Sequence, residues 1–93
     1  MIKIKFCGLK QECDLKAALD LGVDAIGFVF YPSSPRNVSV QEVCRLTAIM
    51  PPLVLRVGLF VDAPIKQVRF AFEKAKLNLV KLHGHESFDY FKF

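Results

Sequence analysis

The sequence predicts an α/β fold built on a parallel sheet, and three observations carry that reading. Runs patterned as strands alternate with runs patterned as helices three times over, and a fourth repeat begins. The strands end near Cys7, Phe30, Phe60 and His83, so the repeat is about 22–30 residues, the size of a βα unit. The stretch Ala25 to Phe30 is apolar on both faces, as a strand covered from both sides must be. Such alternation implies right-handed crossovers and strands in the sequential order 1-2-3-4.

The first strand runs from Ile2 to Cys7 and ends at Gly8. Ile2, Ile4 and Phe6 share one face, while Lys3, Lys5 and Cys7 share the other. A lysine two residues from a thiol favours the thiolate, and the glycine lets the backbone turn or approach a ligand. Cys7 therefore fits two readings from this strand alone: a base tuned toward neutral pH, or a small buried hydrophobe beside a snorkelling lysine. A helix follows over Gln11 to Leu21, with Leu15, Ala18 and Leu19 at buried-stripe spacing and Gly22 as its left-handed terminator. Lys10 and Gln11 are poor caps for it.

After the second strand, prolines stiffen the loop Tyr31 to Arg36 and display Arg36, which taken alone reads as a solvated charge. Ser39 and Glu42 form a capping box for a helix carrying Val40, Val43, Cys44, Thr47 and Met50 on one stripe, ended by Pro51 and Pro52. Cys13 and Cys44 read as packing residues. The third strand spans Leu53 to Val61, and Pro64 opens a helix whose stripe is Ile65, Val68, Phe72 and Ala75, with Asn78 as terminator. The fourth strand is Leu79 to His83. Beyond Ser87 the remaining residues make a stub of a fourth helix, under two turns and too short to stand unaided.

Composition narrows the function classes. With 93 residues the chain is one domain at most, and at 53% hydrophobic and 24% charged it is globular rather than disordered. No apolar run approaches a membrane span, and the lysine-punctuated start is not a signal peptide. Three cysteines without metal-type spacing fit a reducing cytoplasm. The net charge of +4 is scattered, with no basic run, which argues against nucleic acid and suits an anionic small molecule. A metal site at His83, His85 and Glu86 would need all three ligands in good geometry, and His85 reads equally as a solvated loop residue, so no metal is assigned.

Two architectures fit the alternation, an open doubly wound sheet and part of a (β/α)8 barrel. The mixed strand faces, carrying Lys5, Cys7, Lys81 and His83 and continued by Arg56 and Gly58, select the barrel. A barrel lumen can hold such cations, whereas a sheet face packed under helices would bury them without acids. Cys7, Arg36 and His83 also lie at or beyond the carboxyl ends of strands, where barrel active sites form. The expected fold is the N-terminal half of a (β/α)8 TIM barrel, a single partial domain over 1–93. A flavodoxin-like domain fits less well, since no glycine-rich phosphate loop is present.

Four stretches, KFCGLK, GVDAIGFVFYPSSPR, PPLVLRVGLFVDAP and LVKLHGHES, follow one another so that the chain resembles the first half of the phosphoribosylanthranilate isomerase family of tryptophan biosynthesis. The resemblance implies an Amadori rearrangement of a phosphorylated sugar-anthranilate substrate without a cofactor. A general acid opens the ribose ring, and a cysteine then takes the proton from the neighbouring sugar carbon. By that resemblance Cys7 is the base, Arg36 positions the substrate near the anthranilate group and His83 lines the site. Lys10 stands where the family usually has threonine, and Lys81 where it usually has glutamine. The family's general acid, an aspartate, and its phosphate loops belong to the other half of the barrel. A whole barrel needs at least about 200 residues. The chain alone is therefore expected to be inactive. The alternative is a non-catalytic half-barrel that associates with itself or with a complementary C-terminal half.

Overall fold

The computed structural model describes the backbone of residues 5–83 and 90–91 and the side chains of residues 8–82. Its elements run β1 (Lys5–Cys7), α1 (Glu12–Asp20), β2 (Ala25–Val29), α2 (Val40–Thr47), β3 (Leu55–Val61), α3 (Ile65–Lys74), β4 (Leu79–His83) and β5 (Tyr90–Phe91). The strands lie side by side in chain order. The first four are parallel, as the βα alternation predicts, while β5 runs antiparallel against β4, pairing Val80 with Phe91 and Lys81 with Tyr90. Where a fourth helix was expected to begin, the described pair is thus a strand. A segment under two turns has little helical stability of its own, whereas the open edge of β4 offers a row of backbone partners. The start of the first strand, Gly84 and the pattern His85–Glu86 lie outside the described residues.

Register fixes the two faces of the sheet. Ile26, Phe28 and Phe30, with Phe60, Val80 and Leu82, pack in one core with Leu15 and Ala18 of α1, Val43 and Leu46 of α2, and Val68 and Ala71 of α3. All three helices therefore cover one face, and Phe30 stacks on Phe60 with ring centroids 4.9 Å apart. The other set of rows holds Ala25, Gly27 and Val29 on β2, Leu55 to Val61 at alternate positions on β3, and Leu79 and Lys81 on β4. None of its members joins that core cluster. These rows form a second, open set apart from the helix-packed core, as the inner face of half a barrel does, although Ala25, Val29 and Val57 in it are buried.

Arg56 and Gly58 do not continue the open face. Arg56 is in register with Ile26, and Gly58 with Phe28 and Val80, so both belong to the helix-packed rows. Arg56 is accommodated because it stands at the amino end of β3, where its Nη2 reaches the carbonyl of Met50 after α2. Gly58 is small because Leu77 lies beneath it; a Cβ there would meet Leu77 Cδ1 at 2.6 Å.

Local signals set the helix ends. Ser39 Oγ accepts from the Glu42 amide and Glu42 Oε1 accepts from the Ser39 amide, the reciprocal box that the spacing predicts. Gln11 caps α1 without a side-chain bond, and Gly22 takes the left-handed conformation at φ 77. Pro64 is the N-cap of α3 rather than its first residue. Asn78 acts differently from a terminator: its Oδ1 accepts from the Arg56 amide at 2.8 Å, tying β3 to the start of β4. Cys44 packs against the core and donates its thiol to the Lys74 carbonyl, but Cys13 is exposed. Ile65 is also exposed, since the buried stripe of α3 is centred on Val68 and Ala71.

Candidate functional site

The carboxyl ends of the strands gather the residues that the sequence singles out. Cys7 ends β1 opposite Gly27, and the Gly8 amide extends that ladder by donating to the Gly27 carbonyl at 2.9 Å. Gly8 then turns the chain with φ 83, a conformation that L side chains rarely adopt. His83 ends β4 opposite Val61. Rows Cys7–Gly27 and Val61–His83 both belong to the open set, so the backbone positions of Cys7 and His83 fall on the open side of the alternation.

Arg36 comes from the loop between β2 and α2. That loop is closed at its base by Val38, whose amide donates to the Val29 carbonyl at 2.9 Å. Within it the Ser34 amide donates to Tyr31 O, the Asn37 amide to Ser34 O, and the Arg36 amide to Ser34 Oγ at 3.1 Å. The stem of Arg36 lies directly over Gly8: a Cβ placed on that glycine would collide with Arg36 Cδ and sit 3.2 Å from its Cγ. The absent side chain at Gly8 is what lets Arg36 stand beside the residue that follows Cys7. The structure thus brings the Arg36 loop to the end of β1, while His83 lies three strands away along the same sheet end.

Lys10 holds this arrangement from the other side, and sequence reasoning missed it. Read as a poor helix cap, it instead donates its Nζ to the Pro35 carbonyl at 3.2 Å, one residue before Arg36. The two residues are 25 apart in sequence, and no local spacing rule links them. Asp62 follows the end of β3 in the left-handed region, at φ 49. An aspartate tolerates that backbone.

Comparison with known proteins agrees with this geometry. The family model for N-(5'-phosphoribosyl)anthranilate isomerase matches residues 4–93. The enzyme of that name from Dechloromonas aromatica is 49% identical over 88 residues, which are 95% of this chain and 42% of that protein. A crystal structure of phosphoribosyl anthranilate isomerase in complex with reduced 1-(o-carboxyphenylamino)-1-deoxyribulose 5-phosphate superposes with a TM-score of 0.90 at 38% identity. It is covered over 92% of this chain and 44% of its own. A structure of monomers generated from the dimeric isomerase of Thermotoga maritima gives 0.86 at 36% identity, covering 92% of this chain and 43% of that one. The chain thus spans less than half the length of the relatives it matches. It belongs to the N-(5'-phosphoribosyl)anthranilate isomerase family.

Proposed function

We propose that residues 1–93, one partial barrel domain, supply the base and two substrate-positioning residues of a phosphoribosylanthranilate isomerase site. The observation that carries this is the seating of the Arg36 stem on Gly8, next to Cys7, at the carboxyl end of the sheet. In the reaction, the opened-ring Schiff base of N-(5-phosphoribosyl)anthranilate loses the proton on the sugar carbon beside it to the Cys7 thiolate. The enolamine then tautomerises to the ketone, so electrons are redistributed within one molecule and no cofactor is consumed. Arg36 orients the anthranilate portion, and His83 lines the site from β4. A free thiol base works only where it stays reduced, which fits the cytoplasm. Among the described residues no helix is long and apolar enough to cross a membrane.

Ring opening needs a general acid, and none of these residues is assigned that role. Turnover by the chain therefore depends on a complementary C-terminal half. The open face of the sheet and the outer edge of β1 are the seats for that half, or for a second copy of the chain. A continuing barrel strand would also have to replace β5, which occupies the outer edge of β4. The opposing reading is a half-barrel that associates without chemistry, and the strand edge at β1 favours it. Loss of anthranilate-type fluorescence from phosphoribosylanthranilate separates the two. The chain alone should show no substantial turnover, and turnover should appear when a family C-terminal half is added. Robust turnover by the chain alone would mean that another residue here is the acid. No turnover with a half that binds would leave the non-catalytic reading.

A further inference from the structure

Lys10 ties the segment after β1 to the loop after β2 at a point one residue from Arg36. Its Nζ donates to the Pro35 carbonyl at 3.2 Å, while two residues earlier Gly8 receives the Arg36 stem. The two contacts differ in kind. Van der Waals contact with Gly8 limits movement in one direction, whereas a hydrogen bond resists separation. The bonds of the Ser34 amide to Tyr31 O and of the Arg36 amide to Ser34 Oγ run inside the loop, so they stiffen it without fastening it to β1. Lys10 also lines, with Glu12, Glu42 and Arg45, a cleft of about 170 Å³ between the start of α1 and α2. Two cations and two acids balance there, so the cleft suits the lysine and not a charged ligand. The Glu42 carboxyl is lowered first by its bond from the Ser39 backbone amide and, least of the listed causes, by Lys10. A carboxylate pinned on α2 therefore attracts the ammonium that holds Pro35.

We propose that Lys10 is a positioning residue: it holds Pro35 so that Arg36 stands over Gly8, ready for the anthranilate portion of the substrate. The inference rests on the role given to Arg36 under the proposed function. Lys10 acts through Arg36 and not on the substrate. Without the tie the loop spends time in positions that do not meet the substrate, and apparent affinity falls by the fraction of competent enzyme lost. A bound substrate holds Arg36 itself, so the chemical step is spared. The effect therefore belongs in KM and not in kcat.

The test is steady-state turnover of phosphoribosylanthranilate by the chain complemented with a family C-terminal half. Lys10→Met should raise KM by about 2–12-fold, the weight of one hydrogen bond, with kcat little changed. Lys10→Arg keeps a long side chain with a donor at its end and should return KM to near the native value. In an Arg36→Ala background Lys10→Met should have no further effect, because the residue it positions is gone. Lys10 is exposed, so none of these changes reaches the core. The chain alone gives a readout independent of turnover: Lys10→Arg should keep amide exchange at Asn37 and Val38 at the native rate, where Lys10→Met quickens it. An unchanged KM for Lys10→Met, an equal rise in the Arg36→Ala background, or a Lys10→Arg chain that behaves like Lys10→Met would each overturn the proposal. Native kinetics for Arg36→Ala would overturn the role given to Arg36 and the proposal with it, a failure distinct from the other three.

Discussion

Replacing Gly8 by alanine perturbs two things at once, and Gly22 supplies the control that separates them. Both glycines sit in the left-handed region, at φ 83 and φ 77. An alanine in that region costs about 1–2 kcal/mol. Around Gly22 nothing lies within 4 Å of an added Cβ, so Gly22→Ala carries the backbone cost alone. At Gly8 the added carbon collides with the Arg36 stem. Arg36 is exposed and can swing away, so the collision displaces the guanidinium instead of adding much to the stability loss. Both variants should melt lower by about 4–16 °C, at about 4–8 °C per kcal/mol for a domain of this size. They should diverge in function: in a complemented enzyme Gly8→Ala should lose on the order of 100-fold in rate through misplacement, while Gly22→Ala keeps its activity. Thermal denaturation by circular dichroism and single-turnover fluorescence are the assays. A Gly8→Ala chain with unchanged melting, or one that turns over like Gly22→Ala, would refute the reasoning.

Three further outcomes follow from local packing and charge. Gly58→Ala should destabilise by about 1–3 kcal/mol in urea, because its methyl would press on Leu77 at 2.6 Å and on the rings of Phe60 and Phe30 at 3.1 and 3.2 Å. Lys10→Met should leave the melting temperature nearly unchanged but loosen the Arg36 loop. Amide exchange at Asn37 and Val38 should quicken by about 2–12-fold, the equivalent of about 0.5–1.5 kcal/mol for the bond lost at Pro35. The Glu42 carboxyl lies below its ordinary value of 4.5, first because it accepts from the Ser39 backbone amide and then through the Ser39 side chain. A depressed folded value means that its contribution is present above 4.5 and is lost as pH falls through the folded value. Urea midpoints should therefore drop on acidification below that point, and Glu42→Gln should flatten that part of the profile.

What was legible in the sequence is what local chemistry decides. The capping box at Ser39 and Glu42, the left-handed stop at Gly22 and the doubly apolar β2 each depend on residues a few positions apart. The bounds of β4 are recovered for the same reason. Arg56 was assigned to the wrong face because a strand's parity is set by its register with neighbours, and one residue of slip exchanges the faces. The Lys10 clip, the Asn78 tie to β3 and the seating of Arg36 on Gly8 join residues 22 to 28 positions apart along the chain, across βα units. The expected stripes Leu15, Ala18 and Leu19 and Val68, Phe72 and Ala75 do pack in or against the core, while Cys13 and Ile65 stand in the first turns of their helices and are exposed. The pairing of Tyr90–Phe91 with β4 was hidden because nothing in a short aromatic segment tells a strand from a helical stub.

The central claim is that Cys7 is the base at this sheet end. The most direct measurement is kcat for Cys7→Ala in the chain complemented by a family C-terminal half, with substrate affinity followed in parallel. Removing a general base lowers turnover by about 100–10,000-fold. A loss in that range is expected with KM little changed, since Arg36 and His83 would still orient the substrate. A complemented Cys7→Ala enzyme that turns over at the native rate would contradict it.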